Sequence, residues 1–97
     1  MPRYISLQKY TDQGIKDVKG TPERLEKAFK GAEAMGWKLF GYYAVMGEYD
    51  AVAIGEFPND ESVMSFALAI GSAGNIRTTT LKAFSKDEFV GIIKKLP

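Results

Sequence analysis

The hydrophobic residues of this chain follow two periods, one typical of strands and one typical of helices. Four segments have the alternating or β-branched pattern of strands: residues 3–9, 37–45, 51–57 and 76–84. In the first segment Ile5 and Leu7 alternate with polar neighbours, which indicates a strand with one buried face. Gly47 lies between the second and third segments and favours a short hairpin turn. We therefore expect four strands, with the second and third joined as a hairpin.

Three other segments have apolar residues at helical spacing. The first begins with Thr21 as its N-cap, has a proline at the first helical position and ends at Gly36. The second follows the N-cap Asn59 and carries one apolar stripe. The third opens with the capping box of residues 85–88. Its apolar residues are expected to face inward: Phe89, Ile92, Ile93 and Leu96.

The order of these elements predicts the fold class. Strand, helix, strand, strand, helix, strand, with right-handed crossovers, gives an α+β, ferredoxin-like split βαβ arrangement. It would place both main helices on one face of a four-stranded antiparallel sheet, with the C-terminal helix at an edge or on a partner. A chain of 97 residues is expected to form a single domain over residues 1–97.

The third strand suggests which face of the sheet the helices cover. Val52 and Ile54 are bulky and alternate with small residues, so we expect them to pack beneath the helices, against Phe29 and Phe66. The open face would then carry small, aromatic and hydroxyl-bearing residues: Tyr4, Ser6, Gln8, Tyr49, Ala51, Ala53, Gly55 and Phe57. Such a face marks an interface or a pocket, which predicts self-association. The alternative is a sheet whose second face is simply wet.

Composition narrows the chemistry. The chain has no His and no Cys, which removes the commonest general base, thiolate nucleophiles and the usual transition-metal ligands. We therefore expect no metal and no cofactor. Thirteen basic and twelve acidic residues leave a net charge of +1, which gives no strong field to attract nucleic acid or an anionic membrane. The apolar segments are short and no signal peptide is apparent, so we expect a cytoplasmic protein.

Polar residues gather at one end of the predicted sheet. The hairpin turn, the loop of residues 71–75 and the end of the first strand all lie there. We predict a ligand-binding site at this end, formed by Tyr49, Asp50, Asn75 and Arg77. The alternative is that these are turn and edge residues, with Asp50 and Asn75 bonding the local backbone, because turns favour such residue types for conformational reasons.

Five short stretches of the chain are distinctive: Tyr4–Leu7, Thr11 with Gly14 and Ile15, Gly47–Asp50, Gly71–Thr78, and Ala83 with Phe84. In these residues the chain resembles the GYD family of small bacterial and archaeal proteins. Glu48 separates the Gly from the Tyr, so the contiguous triplet of the family name is absent. The resemblance implies the architecture of the dimeric α+β barrels, in which two ferredoxin-like sheets face each other across a cavity. It implies no particular reaction, since the family is functionally uncharacterised.

Four functions are compatible with these observations. The first is a homo-oligomer, expected to be a dimer, that binds a small apolar molecule in a pocket between facing sheets. The second is a cofactor-free oxygenase or isomerase of the barrel superfamily, with Asp50 as a base and Tyr49 as a proton donor. A regulator of trimeric, signalling type is the third. Single-stranded RNA binding on the aromatic sheet is the fourth, and the near-neutral charge opposes it.

Overall fold

The computed structural model describes residues 1–97 and contains four strands and four helices. The strands are β1 (Arg3–Tyr10), β2 (Lys38–Ala44), β3 (Ala51–Glu56) and β4 (Ile76–Ala83). The helices are α1 (Asp12–Lys16), α2 (Thr21–Ala34), α3 (Asp60–Ser72) and α4 (Lys86–Lys94), and a 3₁₀ turn at Val18–Gly20 precedes α2. The main elements follow one another in the predicted order.

The strands form one antiparallel sheet in the order β2-β3-β1-β4. This order, with α2 and α3 on one face, confirms the predicted ferredoxin-like α+β fold. Strand β1 lies between β3 and β4, so Ile5 is opposite Ile54 on one side and Leu81 on the other. Residues that are directly opposite in an antiparallel ladder share a face of the sheet.

Local side-chain bonds fix the helix starts, and one start differs from the prediction. The Asn59 side chain accepts a hydrogen bond from the Ser62 backbone at 2.8 Å, and the predicted capping box of residues 85–88 is complete. Helix α2 instead has Gly20 at its N-cap, and Thr21 is its first helical residue. The Thr21 hydroxyl bonds the Tyr10 hydroxyl at 2.6 Å, so it ties the helix to β1 rather than capping the helix itself.

The prediction that Val52 and Ile54 face the helices is wrong. The helices cover the other face of β3, where Ala53 and Phe57 are 9% and 4% exposed. The reason is the volume of the aromatic rings beneath the helices, which needs a flat strand below them. A Cβ on Gly55 would lie only 2.3 Å from Nε1 of Trp37, so this ring crosses β3 where no side chain exists.

Aromatic side chains fill one end of the space between helices and sheet. The centroid of Trp37 lies 5.7 Å from that of Phe29, 6.1 Å from that of Phe57 and 6.2 Å from that of Phe66. Tyr4 completes this core with 5% exposure. Phe29 and Phe66 therefore do pack in the core, but against other rings and not against the aliphatic residues of β3.

The uncovered side of the sheet is aliphatic rather than small. We call it the open sheet face, and define it by Ile5, Leu7, Val52, Ile54, Leu81 and Tyr43. Its residues form two rows across the strands: one row is Leu81, Ile5 and Ile54, and the other includes Leu7, Val52 and Tyr43. Leu81 and Tyr43 are 45% and 60% exposed. Ala53 and Gly55, which were predicted to be open, lie under the helices instead.

Helix α4 extends from the body of the chain. It makes at most marginal contact with the other elements, and the molecule measures 51 × 31 × 19 Å along its principal axes. Its apolar residues were expected to face inward, but Phe89 is 57% exposed and Ile93 47% exposed. The inward prediction is wrong because α4 lies beside the body of the chain and packs its apolar side on none of the other elements. No helix in the structure has the length and apolar character needed to cross a membrane.

We expect Phe57→Ala to lower the free energy of unfolding by about 3–5 kcal/mol, because it removes a ring from the buried cluster. Met46→Ala is the control, since Met46 is 100% exposed in the β2–β3 turn and should change stability by no more than about 0.5 kcal/mol. Urea unfolding midpoints measure both. Equal losses in the two variants would contradict the assignment of the core.

Candidate functional site

Strand β1, the β2–β3 turn and the α3–β4 loop meet at one end of the sheet. The Thr11 backbone N–H donates to the Asn75 carbonyl at 3.0 Å, and the Thr11 hydroxyl donates to the Gly74 carbonyl at 2.5 Å. The approach is so close that a Cβ on Gly14 would lie 1.9 Å from the Asn75 oxygen. The four predicted site residues all lie at this end, which we call the polar end.

Asp50 holds the hairpin onto β1. Its carboxylate Oδ2 accepts a hydrogen bond from the Tyr10 backbone N–H at 2.8 Å. Its own N–H donates to the Gln8 carbonyl at 2.8 Å, and its carbonyl accepts from the Val45 N–H at 2.9 Å. Three bonds to the backbone from one residue support the interpretation that Asp50 has a conformational role here.

The other three predicted residues have different surroundings. The Asn75 carbonyl binds Thr11, and its side-chain oxygen accepts from Gln13 Nε2 at 3.1 Å. Tyr49 lies under a cation, with Lys9 Nζ 5.9 Å from the ring centroid. Arg77 is the cross-strand partner of Lys9 on the open side of the sheet, and neither cation forms an ion pair with a carboxylate.

The four residues therefore share an end of the sheet without enclosing one pocket. Asn75 lines a cavity beneath the helices, whereas Arg77 lines a shallower groove between α3 and β4. Tyr49 and Asp50 line neither of these. Their role in ligand binding remains a prediction.

The cavity beneath the helices was not predicted. We call it the interlayer cavity; it has a volume of about 380 Å³ and lies between α2, α3 and the covered face of the sheet. Its floor is Tyr4, Ser6, Gln8, Tyr10, Ala53, Gly55, Thr78 and Thr80. The sequence does contain a signal for it, namely the row of small and hydroxyl-bearing side chains on β1 and β3. That row was assigned to the open face, so the space above it was missed.

The cavity has an aromatic end and a hydrogen-bonding end. Trp37, Phe57 and Phe66 line the aromatic end. Gln8, Tyr10 and Thr21 line the other end, where α2 begins and β1 finishes. Burial raises the pKa of Tyr42, which also lines the cavity, and the nearby Tyr10 raises it further.

Gln8 is the buried polar side chain on the cavity floor. It is 8% exposed, and its amide nitrogen donates one hydrogen bond, 3.3 Å long, to the Ser6 hydroxyl. Its carbonyl Oε1 accepts no hydrogen bond from the protein. Arg3 Nε alone is a fully buried side-chain atom without a partner, so Gln8 Oε1 keeps some accessible surface and can bond to whatever enters the cavity.

A short series of bonded polar side chains lies below the aromatic end. The Tyr4 hydroxyl donates to Asp60 Oδ1, and Lys82 Nζ lies 3.1 Å from the same oxygen. Burial, followed by the hydrogen bond to the Asp60 carboxylate and its negative charge, raises the pKa of Tyr4 from its usual 10.0 to about 12. The same bond, followed by that from Lys82, lowers the pKa of Asp60. Tyr4 is thus a hydrogen-bond donor to Asp60 and keeps its own proton.

Two variants of Asp50 separate its two possible roles. If it only ties the hairpin to β1, Asp50→Ala should lower the free energy of unfolding by about 1 kcal/mol, because the Tyr10 N–H loses its partner. Asp50→Asn, which keeps an acceptor oxygen, should recover part of that loss. Urea unfolding of both variants measures this. A normal stability together with lost ligand binding would favour the working-carboxylate role instead.

Tyr4→Phe should flatten the dependence of stability on alkaline pH. The pKa of Tyr4 is raised by folding, so the unfolded chain releases this proton first and stability is lost as pH rises from 10 towards 12. The phenylalanine variant keeps the ring but has no such proton to lose. Unfolding midpoints across this pH range, compared with the control Tyr43→Phe on the open sheet face, measure the difference. A slope unchanged by Tyr4→Phe would contradict the assignment.

Comparison with known proteins agrees with the fold. The crystal structure of FFRP-DM1 matches with a TM-score of 0.60 and 23% identity, covering 87% of this chain and 100% of that chain. A Thermus thermophilus protein named glutamine synthetase and cystathionine beta-lyase binding protein is 30% identical over 95 residues, covering 97% of this chain and 100% of that protein. The GYD domain model matches residues 4–93. The chain therefore belongs to the GYD domain family.

Proposed function

We propose that this protein is a homo-oligomeric small-molecule-binding protein that closes its open sheet face against a second copy of itself. The observation that carries the proposal is the aliphatic character of that face. Two cross-strand rows that include Ile5, Ile54, Leu7 and Val52 have no helix above them. A contiguous apolar area of this kind is unusual on a monomer and typical of an interface.

The rim of the open sheet face has groups that a second copy could satisfy. Arg3 lies 3.6 Å from Glu56 and 4.7 Å from the centroid of Phe40, and its side chain is 42% exposed. In a two-fold interface the same patch meets itself, so each copy can offer a carboxylate and an arginine to the other. The exposed apolar side of α4 lies next to this rim, since Ser85 follows the strand that pairs with Arg3.

Facing sheets would enclose a pocket whose walls are aliphatic. The polar handles that we assign to a bound small molecule are Tyr49, with Lys9 beside it on the open side, and Arg77 at the β4 edge, where it also lines the groove beside α3. Asp50 and Asn75 would act by holding the hairpin and the loop in place. The cofactor-free enzyme is less well supported, because the Asp50 carboxylate that would serve as its base accepts a backbone hydrogen bond.

A second candidate function is docking to metabolic enzymes. It is favoured by the name of the Thermus thermophilus relative, which says that the relative binds glutamine synthetase and cystathionine beta-lyase. Size-exclusion chromatography of this protein mixed with each purified enzyme from its own source tests this function. Co-elution with either enzyme, absent with an unrelated enzyme of similar size, would support it.

A charged substitution on the open sheet face tests self-association. We expect the wild type to sediment as a dimer or a larger oligomer at micromolar concentration, and Ile54→Arg to sediment as a monomer. The substitution should weaken association by at least about 100-fold, because it would bury an unpaired charge in the interface. Glu33→Arg, on the exposed side of α2, is the control and should leave the assembly intact. A monomeric wild type would end the proposal, and circular dichroism shows whether each variant is folded.

A further inference from the structure

The interlayer cavity has the features of a second binding site, separate from any pocket between two copies. Its walls are mostly apolar, and its volume of about 380 Å³ falls within the usual range for small-molecule pockets. All of its lining residues come from one chain. It lies on the opposite side of the sheet from the open sheet face, so it exists whether or not the protein self-associates.

The cavity reaches the surface through the helix layer, because several of its lining residues on α2 and α3 are exposed. Among the residues that line it, Lys27 and Gly31 of α2 and Ala69 and Ala73 at the end of α3 are exposed. Three of these four are small, so the helix layer leaves the cavity partly uncovered beside them. A Cβ added to Gly31 would meet no other atom within 4 Å, which agrees with an open gap at this position.

The cavity lining has basic side chains but no acidic ones, which favours a ligand with a negative charge. It contains no aspartate and no glutamate, but it contains Arg24 and Lys27 on the first two turns of α2. Arg24 is held by the Asp17 carboxylate at 2.8 Å, whereas Lys27 forms no ion pair. A negative head group is therefore favoured near the first two turns of α2, and a positive head group is disfavoured there.

The unpaired Oε1 of Gln8 adds a hydrogen-bonding requirement. It lies on the floor at the same end as Tyr10 and Thr21, whose hydroxyls bond each other at 2.6 Å. We propose that the interlayer cavity binds a small amphiphilic monocarboxylate. Its apolar body lies against Trp37 and Phe66, its carboxylate lies towards Lys27, and a water molecule bound to the carboxylate donates a hydrogen bond to Gln8 Oε1.

Trp37 makes the proposal directly measurable. It is the single tryptophan of the chain and it lines the cavity, so its fluorescence reports occupancy. The probes are decanoate, decanol and decylamine, used below their micellar concentrations, which share one alkyl body and differ in head-group charge. We expect saturable binding that is tightest for decanoate, weaker for decanol and weakest for decylamine. No saturable change with any of the three, or tightest binding of decylamine, would overturn the proposal.

Matched variants locate the site. Gly31→Phe narrows the gap and should weaken decanoate binding by at least about tenfold. Ala34→Phe places the same ring on an exposed position of α2 outside the lining and should have no effect. Lys27→Glu should reverse the preference between decanoate and decylamine, while Lys30→Glu, whose parent residue pairs with Glu26 outside the cavity, should not. Equal effects within either pair would place the ligand elsewhere.

One further variant separates this site from the pocket between facing sheets. Ile54→Arg alters only the open side of the sheet, so a folded Ile54→Arg protein should bind decanoate as the wild type does. Lost binding in that variant would assign the ligand to the intersheet pocket and overturn the present proposal. Retained binding in a protein whose wild type proves monomeric would support the interlayer cavity and end the self-association proposal instead.

Discussion

The packing of both faces of the sheet depends on the close contact between Trp37 and Gly55. A Cβ at position 55 would lie 2.3 Å from the indole nitrogen and 2.5 Å from the Lys38 carbonyl, so only glycine allows the ring to lie flat on β3. The indole then supports Phe57 and Phe66 at stacking distances. This contact decides which side of β3 faces the helices, and so leaves the aliphatic side of the strand uncovered.

The same rings make one end of the interior densely packed and leave the other end hollow. They separate α2 and α3 from the sheet near Tyr4, and at the opposite end the small residues of β3 and the helices do not fill that separation. No large side chain is fully buried anywhere in the chain. Protein interiors are usually close-packed, so a hollow of this size beside a dense aromatic cluster is a specific feature of this chain. The chain gains a cavity because its aromatic residues are concentrated at one end.

The topology could be predicted from the sequence, but the side of β3 that faces the helices could not. Hairpin glycine, helix caps and element order each have a local signal, and together they give the ferredoxin-like arrangement. A strand with Val52 and Ile54 on one side and Ala53 and Gly55 on the other is compatible with either side being covered, because a shift of one residue exchanges the faces. The polar end followed from topology. The cavity did not, because the row of small residues on β1 and β3 indicates a cavity only once that side of the sheet is known to lie under the helices.

Helix α4 illustrates a further consequence of the elongated shape. It has nine residues and almost no neighbours in its own chain, while isolated helices shorter than about 12–15 residues are marginal in water. Its capping box opposes fraying at one terminus only. The helix–coil equilibrium of this arm therefore depends on whether another surface covers its apolar side. We therefore expect the C-terminal segment to be more fully helical when its apolar side is covered than when water surrounds it.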